Sequence, residues 1–313
     1  MLISNYTSFF KPLISIKNMD EKEIESYKKA GKIAVEVIAY AKEFIKPGMK
    51  LLEIAEKIED KIKELGGEIA FPVNLSIDEV AAHYTPGPED EGVACGLLKV
   101  DLGACVNGYI SDTAFSVDLT EDGKHKEIIE LNKKALESAL KIVKAGVMVN
   151  EIGEAVSNVV GDKYSIVRNL SGHSLDKDMI HAGLTISNYK NNNDLELKDI
   201  VIAIEPFLTY GVGEIYEGKD SEIYMLQREA SVRDSDARKI LKFIKEKYNT
   251  RPFCRRWLVS EGFKKVSFVL KILTQQGILK NFPVLVEKSK KPVSQWEHSV
   301  LIGDGESIVY TRD

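Results

Sequence analysis

The chain has 313 residues, 44% of them hydrophobic and 29% charged, with a formal net charge of −5 at pH 7. That length is enough to bury a sizeable core, and the composition argues against a disordered chain. Acidic and basic residues are interspersed, so no broad surface for nucleic acid or anionic lipid is expected, and no apolar run approaches the roughly 18 residues of a membrane span.

Residues 1–18 contain Phe9, Phe10 and Leu13 but have neither a charged leading region nor a small-residue cleavage site, so they do not read as a signal peptide. They are expected to be a disordered extension, with Met19 as the biological start of a catalytic domain over 19–313. Apolar residues at Ile24, Tyr27, Ile33, Val37, Ile38 and Ala41 predict a helix over about 23–45, stopped by Pro47-Gly48. A second helix over 51–65 buries Ile54, Ala55, Ile58 and Ile62 and stops at Gly66-Gly67. From 71 to 119 short apolar runs broken by Pro86-Gly87-Pro88 and Asn107-Gly108 predict antiparallel sheet.

The pattern then recurs. A helix over about 126–144, a turn, a shorter helix through 159 and strands to about 209 repeat the order of the first half. Ile45-Lys46-Pro47-Gly48-Met49 and Val143-Lys144-Ala145-Gly146-Val147 occupy equivalent points. This predicts an internally duplicated α+β domain of helix-helix-strand units. Residues 213–288 change character and are read as a mainly helical insertion, with sheet resuming at 293–302 and closing at 307–311. Cys95, Cys105 and Cys254 form no CxxC pair, which argues against a disulfide framework or a thiolate zinc site and fits a reducing cytoplasm. Cys105, inside an apolar run, reads as a small buried hydrophobe.

Chemistry concentrates in a few stretches. In Lys99-Val100-Asp101-Leu102-Gly103-Ala104-Cys105-Val106-Asn107-Gly108-Tyr109-Ile110-Ser111-Asp112-Thr113-Ala114, Asn107-Gly108 predicts a tight hairpin that pairs Val106 with Tyr109 and Asp101 with Ala114. Asp101 and Asp112 then form a diagonal pair on one face. Two carboxylates so close repel unless a cation lies between them, although an exposed acidic pair on a polar sheet face is an equal reading of this stretch alone.

His173 ends Leu170-Ser171-Gly172-His173, Glu205 follows the apolar run 200–204, and Glu297 lies in Gln295-Trp296-Glu297-His298. One histidine and four carboxylates suit borderline divalent ions such as manganese, iron(II), cobalt or zinc, and four negative charges balance two such ions. His83 and His181 lie in Ala82-His83-Tyr84-Thr85-Pro86 and Ile180-His181-Ala182-Gly183. His125, in a polar segment, is assigned to solvent.

These motifs, with Phe71-Pro72-Val73-Asn74 and Ala203-Ile204-Glu205-Pro206-Phe207, resemble the methionine aminopeptidases, the pita-bread metallopeptidases, from about residue 23 to 311. The insertion resembles that of the type 2 enzymes, and the absence of a polylysine-rich leader looks archaeal. The resemblance implies a curved antiparallel sheet and two metal ions held by Asp101, Asp112, His173, Glu205 and Glu297, with Asp112 and Glu297 bridging. It implies Glu205 as general base, His83 and His181 facing the scissile peptide, and a methionine pocket of Phe71, Ile180, Phe207 and Phe282.

Its substrate would be the initiator methionine of nascent peptides with a small second residue. The ribosome is a candidate partner, and a monomer is expected. Two positions depart from the family pattern, Ile223 where animal type 2 enzymes carry histidine and Trp296 in place of phenylalanine, and both are expected to alter the pocket. The rival readings are a proline-directed aminopeptidase of the same fold and a non-catalytic binding protein that uses it.

Overall fold

Asp20 starts the first helix with a reciprocal cap: its side chain accepts from the Glu23 amide at 2.9 Å, and Glu23 Oε2 accepts from the Asp20 amide at 3.0 Å. The structure is a computed structural model that describes residues 19–303 and 306–312. The extension expected at 1–18 lies outside the described residues.

The first half runs α1 (Glu21–Phe44), α2 (Leu51–Glu64), β1 (Glu68–Ile69), β2 (Asn74–Ile77), β3 (Val80–Ala82), β4 (Leu97–Leu102), β5 (Ala104–Val106), β6 (Tyr109–Ile110) and β7 (Thr113–Asp118). The second half runs α3 (Lys126–Ile142), α4 (Val149–Val160), β8 (Ser165–Ile166), β9 (Ser171–Leu175), β10 (Thr185–Ser187), β11 (Ile200–Ile204) and β12 (Phe207–Thr209). After β13 (Ile215–Leu226) come α5 (Ser235–Lys247), β14 (Phe253–Cys254), α6 (Arg255–Ser260), α7 (Val266–Gln275) and β15 (Leu279–Glu287). The chain closes with β16 (Val293–Gln295), β17 (His298–Gly303) and β18 (Glu306–Val309).

The duplication extends to individual hydrogen bonds. Gly48 and Gly146 both take positive φ, 83° and 92°, and their amides donate to Ala94 and Leu197 carbonyls, each at 2.8 Å. The next residues, Met49 and Val147, accept from the amides of the same two partners, again at 2.8 Å. Glycine suits this left-handed position because it has no Cβ to clash. In each half the helix pair lays an apolar stripe on the sheet: Ile54, Ala55, Ile58 and Ile62 pack with Leu98 and Val100, and Ile128, Ala135, Leu136 and Ala139 pack with Ile202 and Val300.

Among the described residues all strand pairs are antiparallel. The first half contributes the set β2-β4-β7 and the second the set β10-β9-β11-β17-β18. They meet where Ala114 and Glu297 exchange backbone hydrogen bonds at 3.0 and 3.4 Å. This junction makes one curved surface of two half-sheets.

Residues 213–288 differ from the mainly helical reading. Helices α5 to α7 occupy only the middle, while β13 and β15 are long strands that pair with each other and, through β15, with β3. Charged residues on the exposed face of β13 disguise it: from Tyr216 to Asp220 every position is exposed. His125 is a second difference. It is 4% exposed, its amide donates to Asp118 Oδ2 at 2.7 Å, and its Nδ1 lies 3.2 Å from the Tyr210 hydroxyl, so it packs at the start of α3 instead of facing solvent. Cys105 and Cys254 are buried and Cys95 is exposed. Among the described residues no helix is long and apolar enough to cross a membrane.

Candidate metal centre and substrate cavity

The hairpin around Asn107-Gly108 has the expected register, with Val106 opposite Tyr109 and Asp101 opposite Ala114. Asn107 and Gly108 take φ of 56° and 88°, the left-handed values of a tight two-residue turn. Asp101 therefore projects from β4 beside Asp112, which immediately precedes β7. The backbone of Asp112 is fixed from the other half: its amide donates to Ser299 Oγ at 3.0 Å, and that hydroxyl donates back to the Asp112 carbonyl at 2.7 Å.

The remaining candidates come from the second half-sheet. His173 sits on β9 opposite Ala203 of β11, Glu205 leaves the end of β11, and Glu297 lies between β16 and β17. His173 Nε2 is 3.5 Å from both Asp112 Oδ2 and Glu205 Oε1. Donor atoms of Asp112, His173 and Glu297 all lie within 4.8 Å of one another. Buried Asp101 Oδ1 has no hydrogen-bond partner among the described residues. A convergent oxygen-rich donor set with an orphaned buried oxygen fits a divalent metal site, because cations offset the repulsion that otherwise opposes it.

The site lines a cavity of about 600 Å³. Phe71, Ile180, Phe207 and Phe282 contribute apolar wall, and His83 and His181 line the same space, so all eleven candidate residues face one cavity. The His173 and His181 rings are 4.3 Å apart edge to face, and Phe282 lies 5.4 Å from His83 and 6.2 Å from His181.

Metallopeptidase family M24 matches residues 25–239. A methionine aminopeptidase of Archaeoglobus fulgidus is 41% identical over 94% of this chain and 100% of its own length, and one of Pyrococcus horikoshii is 42% identical over 93% and 100%. The chain belongs to the methionine aminopeptidases of that family. Among solved structures, a thermophilic Arx1 shares the fold with a TM-score of 0.81 at 17% identity, over 94% of this chain and 92% of that one. A methionine aminopeptidase of Thermotoga maritima does so with a TM-score of 0.66 at 19% identity, over 94% and 98%.

The enzyme buries its acids at a cost. Burial lifts the Asp101 carboxyl to about 7, and burial followed by repulsion from the neighbouring carboxylates pushes Asp112, Glu205 and Glu297 well above the usual range. Burial likewise holds His83 and His173 down to about 4 and His181 well below its ordinary value, so all three imidazoles are neutral near pH 7. Neutral imidazole is the form that ligates metals and offers one donor and one acceptor.

Two supporting residues carry no assignment from the sequence. Gln295, 1% exposed, donates through Nε2 to Glu297 Oε2 at 3.4 Å and Glu205 Oε2 at 3.5 Å. Its place two residues before Glu297, on the same face of an extended segment, was the available signal. Asn188 Nδ2 donates to the Glu205 carbonyl at 3.0 Å, and nothing local in the sequence marks it. Ile223 does line the cavity, whereas Trp296 does not. Alternation turns Trp296 to the helix side, where it packs against both helix layers with the Lys42 and Lys133 ammonium groups 5.1 and 5.2 Å from its ring centroid. The expectation that Trp296 shapes the pocket is therefore corrected.

Proposed function

We propose that this enzyme removes the N-terminal methionine of nascent polypeptides with a small second residue, using two divalent ions held by Asp101, Asp112, His173, Glu205 and Glu297. The observation that carries this reading is one cavity lined by the five candidate ligands, four apolar side chains and two neutral histidines. Four carboxylates match the charge of two divalent ions, and the mixed oxygen and imidazole set suits cobalt, manganese, iron(II) or zinc. Asp112 and Glu297, which meet across the junction of the half-sheets, are the bridging candidates.

When bound, such an ion pair acidifies water near neutral pH and polarises a carbonyl. Glu205 takes the proton of the attacking water and returns it to the leaving amine. The Pro283 carbonyl lies 3.2 Å from His83 Nδ1 and can only accept, so Nδ1 carries the proton and Nε2 is left as an acceptor for the scissile amide N–H. His181 donates to the carbonyl oxygen as that oxygen gains charge. Phe71, Ile180, Phe207 and Phe282 enclose the methionine side chain, which is flexible and polarizable and packs well among aromatic rings. A monomer that meets its substrate as nascent chains leave the ribosome goes with this reading.

The deciding experiment is hydrolysis of Met-Ala-Ser against Xaa-Pro peptides after metal stripping and readdition. The expected result is methionine release restored by about two equivalents of divalent ion. Preference for the Xaa-Pro peptides, or full activity in the stripped protein, overturns the reading.

A further inference from the structure

The turn that carries Ile180 and His181 is held from outside its own half. Its stem is local: Asp176 and Met179 exchange backbone hydrogen bonds at 2.9 and 3.0 Å, and the Ala182 amide donates to the Ser174 carbonyl at 2.8 Å. Its tip is Asp178, with a left-handed φ of 56°, which aspartate tolerates better than most residues.

Three consecutive residues of the insertion converge on that tip. Asn249 Nδ2 donates to Asp178 Oδ2 at 3.2 Å, Thr250 Oγ1 donates to the Asp178 carbonyl at 2.6 Å, and Arg251 Nε lies 3.3 Å from Asp178 Oδ1. The Asp178 amide donates to the Gly108 carbonyl at 2.7 Å, so the tip also rests on the hairpin of the two aspartates. Arg251 is 6% exposed, and its remaining nitrogens reach Glu68 at 2.6 Å and the Ile69 carbonyl at 3.5 Å, just before Phe71. The next residue, Pro252, lines the cavity.

We infer that residues 249–251 are a clamp through which the insertion aims His181, with Asp178 and Arg251 as positioning residues for the reaction. The inference rests on the reading of His181 as the donor to the carbonyl oxygen. A short turn tied only at its stem lets its far end shift, and a misplacement of about 1 Å at a reacting group costs up to about 10²-fold in rate. The clamp fixes the tip through side-chain, backbone and charge contacts at once. It gives the insertion a catalytic purpose through the segment that follows α5.

The test is a cycle of Asp178→Ala and His181→Ala in the metal-loaded enzyme, read by kcat and KM on Met-Ala-Ser, metal content and hydrogen exchange over 176–182. Asp178→Ala is expected to lower kcat roughly tenfold, with KM changed less than about threefold, metal content unchanged and exchange in the turn accelerated. Asp178→Asn, which keeps the left-handed preference and the Thr250 and Asn249 contacts, is expected to recover most of the loss. In the His181→Ala background Asp178→Ala is expected to add little, because residues that act through one another are not additive.

A folded Asp178→Ala enzyme with kcat within about twofold of the parent overturns the clamp, as does the same loss appearing in full on top of His181→Ala. Should Asp178→Ala fail to fold, Thr250→Val decides: a kcat loss that disappears in the His181→Ala background supports the clamp, and unchanged kcat overturns it. Wild-type turnover by His181→Ala alone defeats the reading of His181, a result separate from either outcome for the clamp.

Discussion

The two halves of the duplicated core contribute to the candidate metal centre in different ways. The first supplies Asp101 and Asp112 from one hairpin, so a two-residue turn and strand alternation bring them together. The second supplies His173, Glu205 and Glu297 from β9, the end of β11 and the approach to β17, with the whole insertion separating the last two in sequence. Local geometry thus brings two of the five candidates together, and long-range strand pairing brings the other three.

The largest effect is expected at the junction of the two halves. Asp112→Asn and Glu297→Gln, one from each half, are both expected to drop metal content below two ions per chain and to abolish turnover, since each is proposed to bridge. Mass-spectrometric or spectroscopic metal counting checks this. Two retained ions with normal turnover in both variants sinks the bridging assignment.

Equivalent helices offer a second contrast. On α2, Glu59 is 2% exposed and accepts from Arg256 at 2.6 and 2.8 Å, from Trp257 Nε1 at 2.8 Å and from the Val73 amide at 3.4 Å, tying the first half to the insertion. On α4, Glu154 pairs with Lys190 at 2.6 Å in solvent. Glu59→Ala strands a buried guanidinium and is expected to cost about 3–5 kcal/mol of stability in urea unfolding. Glu154→Ala is expected to leave the midpoint nearly unchanged, as exposed pairs contribute little. Equal midpoints for the two variants would show that the insertion is not anchored through Glu59.

His181→Ala tests whether the second half supplies more than ligands. It is expected to lower turnover about 10²–10³-fold, the scale of one lost donor to a developing oxyanion, with metal content and melting temperature preserved. Retention of more than about a tenth of parental turnover removes that role.

The smallest expected effect concerns Lys99, buried at 1% exposure in β4, its Nζ donating to the Asp78 carbonyl at 2.8 Å. Burial holds its ammonium down to about 7 from an ordinary 10.5. Between these values the unfolded chain binds more protons, so the contribution of Lys99 is present above the unfolded pKa and is lost as pH falls to about 7. Relative to Lys99→Met, the parent is expected to gain stability as pH rises from about 7 to 9. A difference between the two that stays flat over that range overturns the assignment.

The sequence by itself determined what local rules govern. Helical periodicity marked the four core helices within a few residues, the equivalent glycine turns marked the duplication, and Asn107-Gly108 with alternation put two aspartates on one face. The resemblance of short motifs points to the remaining candidates. Only the tertiary structure decided how His173, Glu205 and Glu297 meet them, because strand order across a sheet depends on contacts between residues far apart in the chain. It also decided that β13 is a strand, since its pairing with β15 outweighs an exposed and charged face, and that Trp296 turns away from the cavity while His125 is buried. The clamp on Asp178 was illegible for the same reason: Thr250 and Arg251 carry no local mark, and folding alone sets them against a turn some seventy residues earlier.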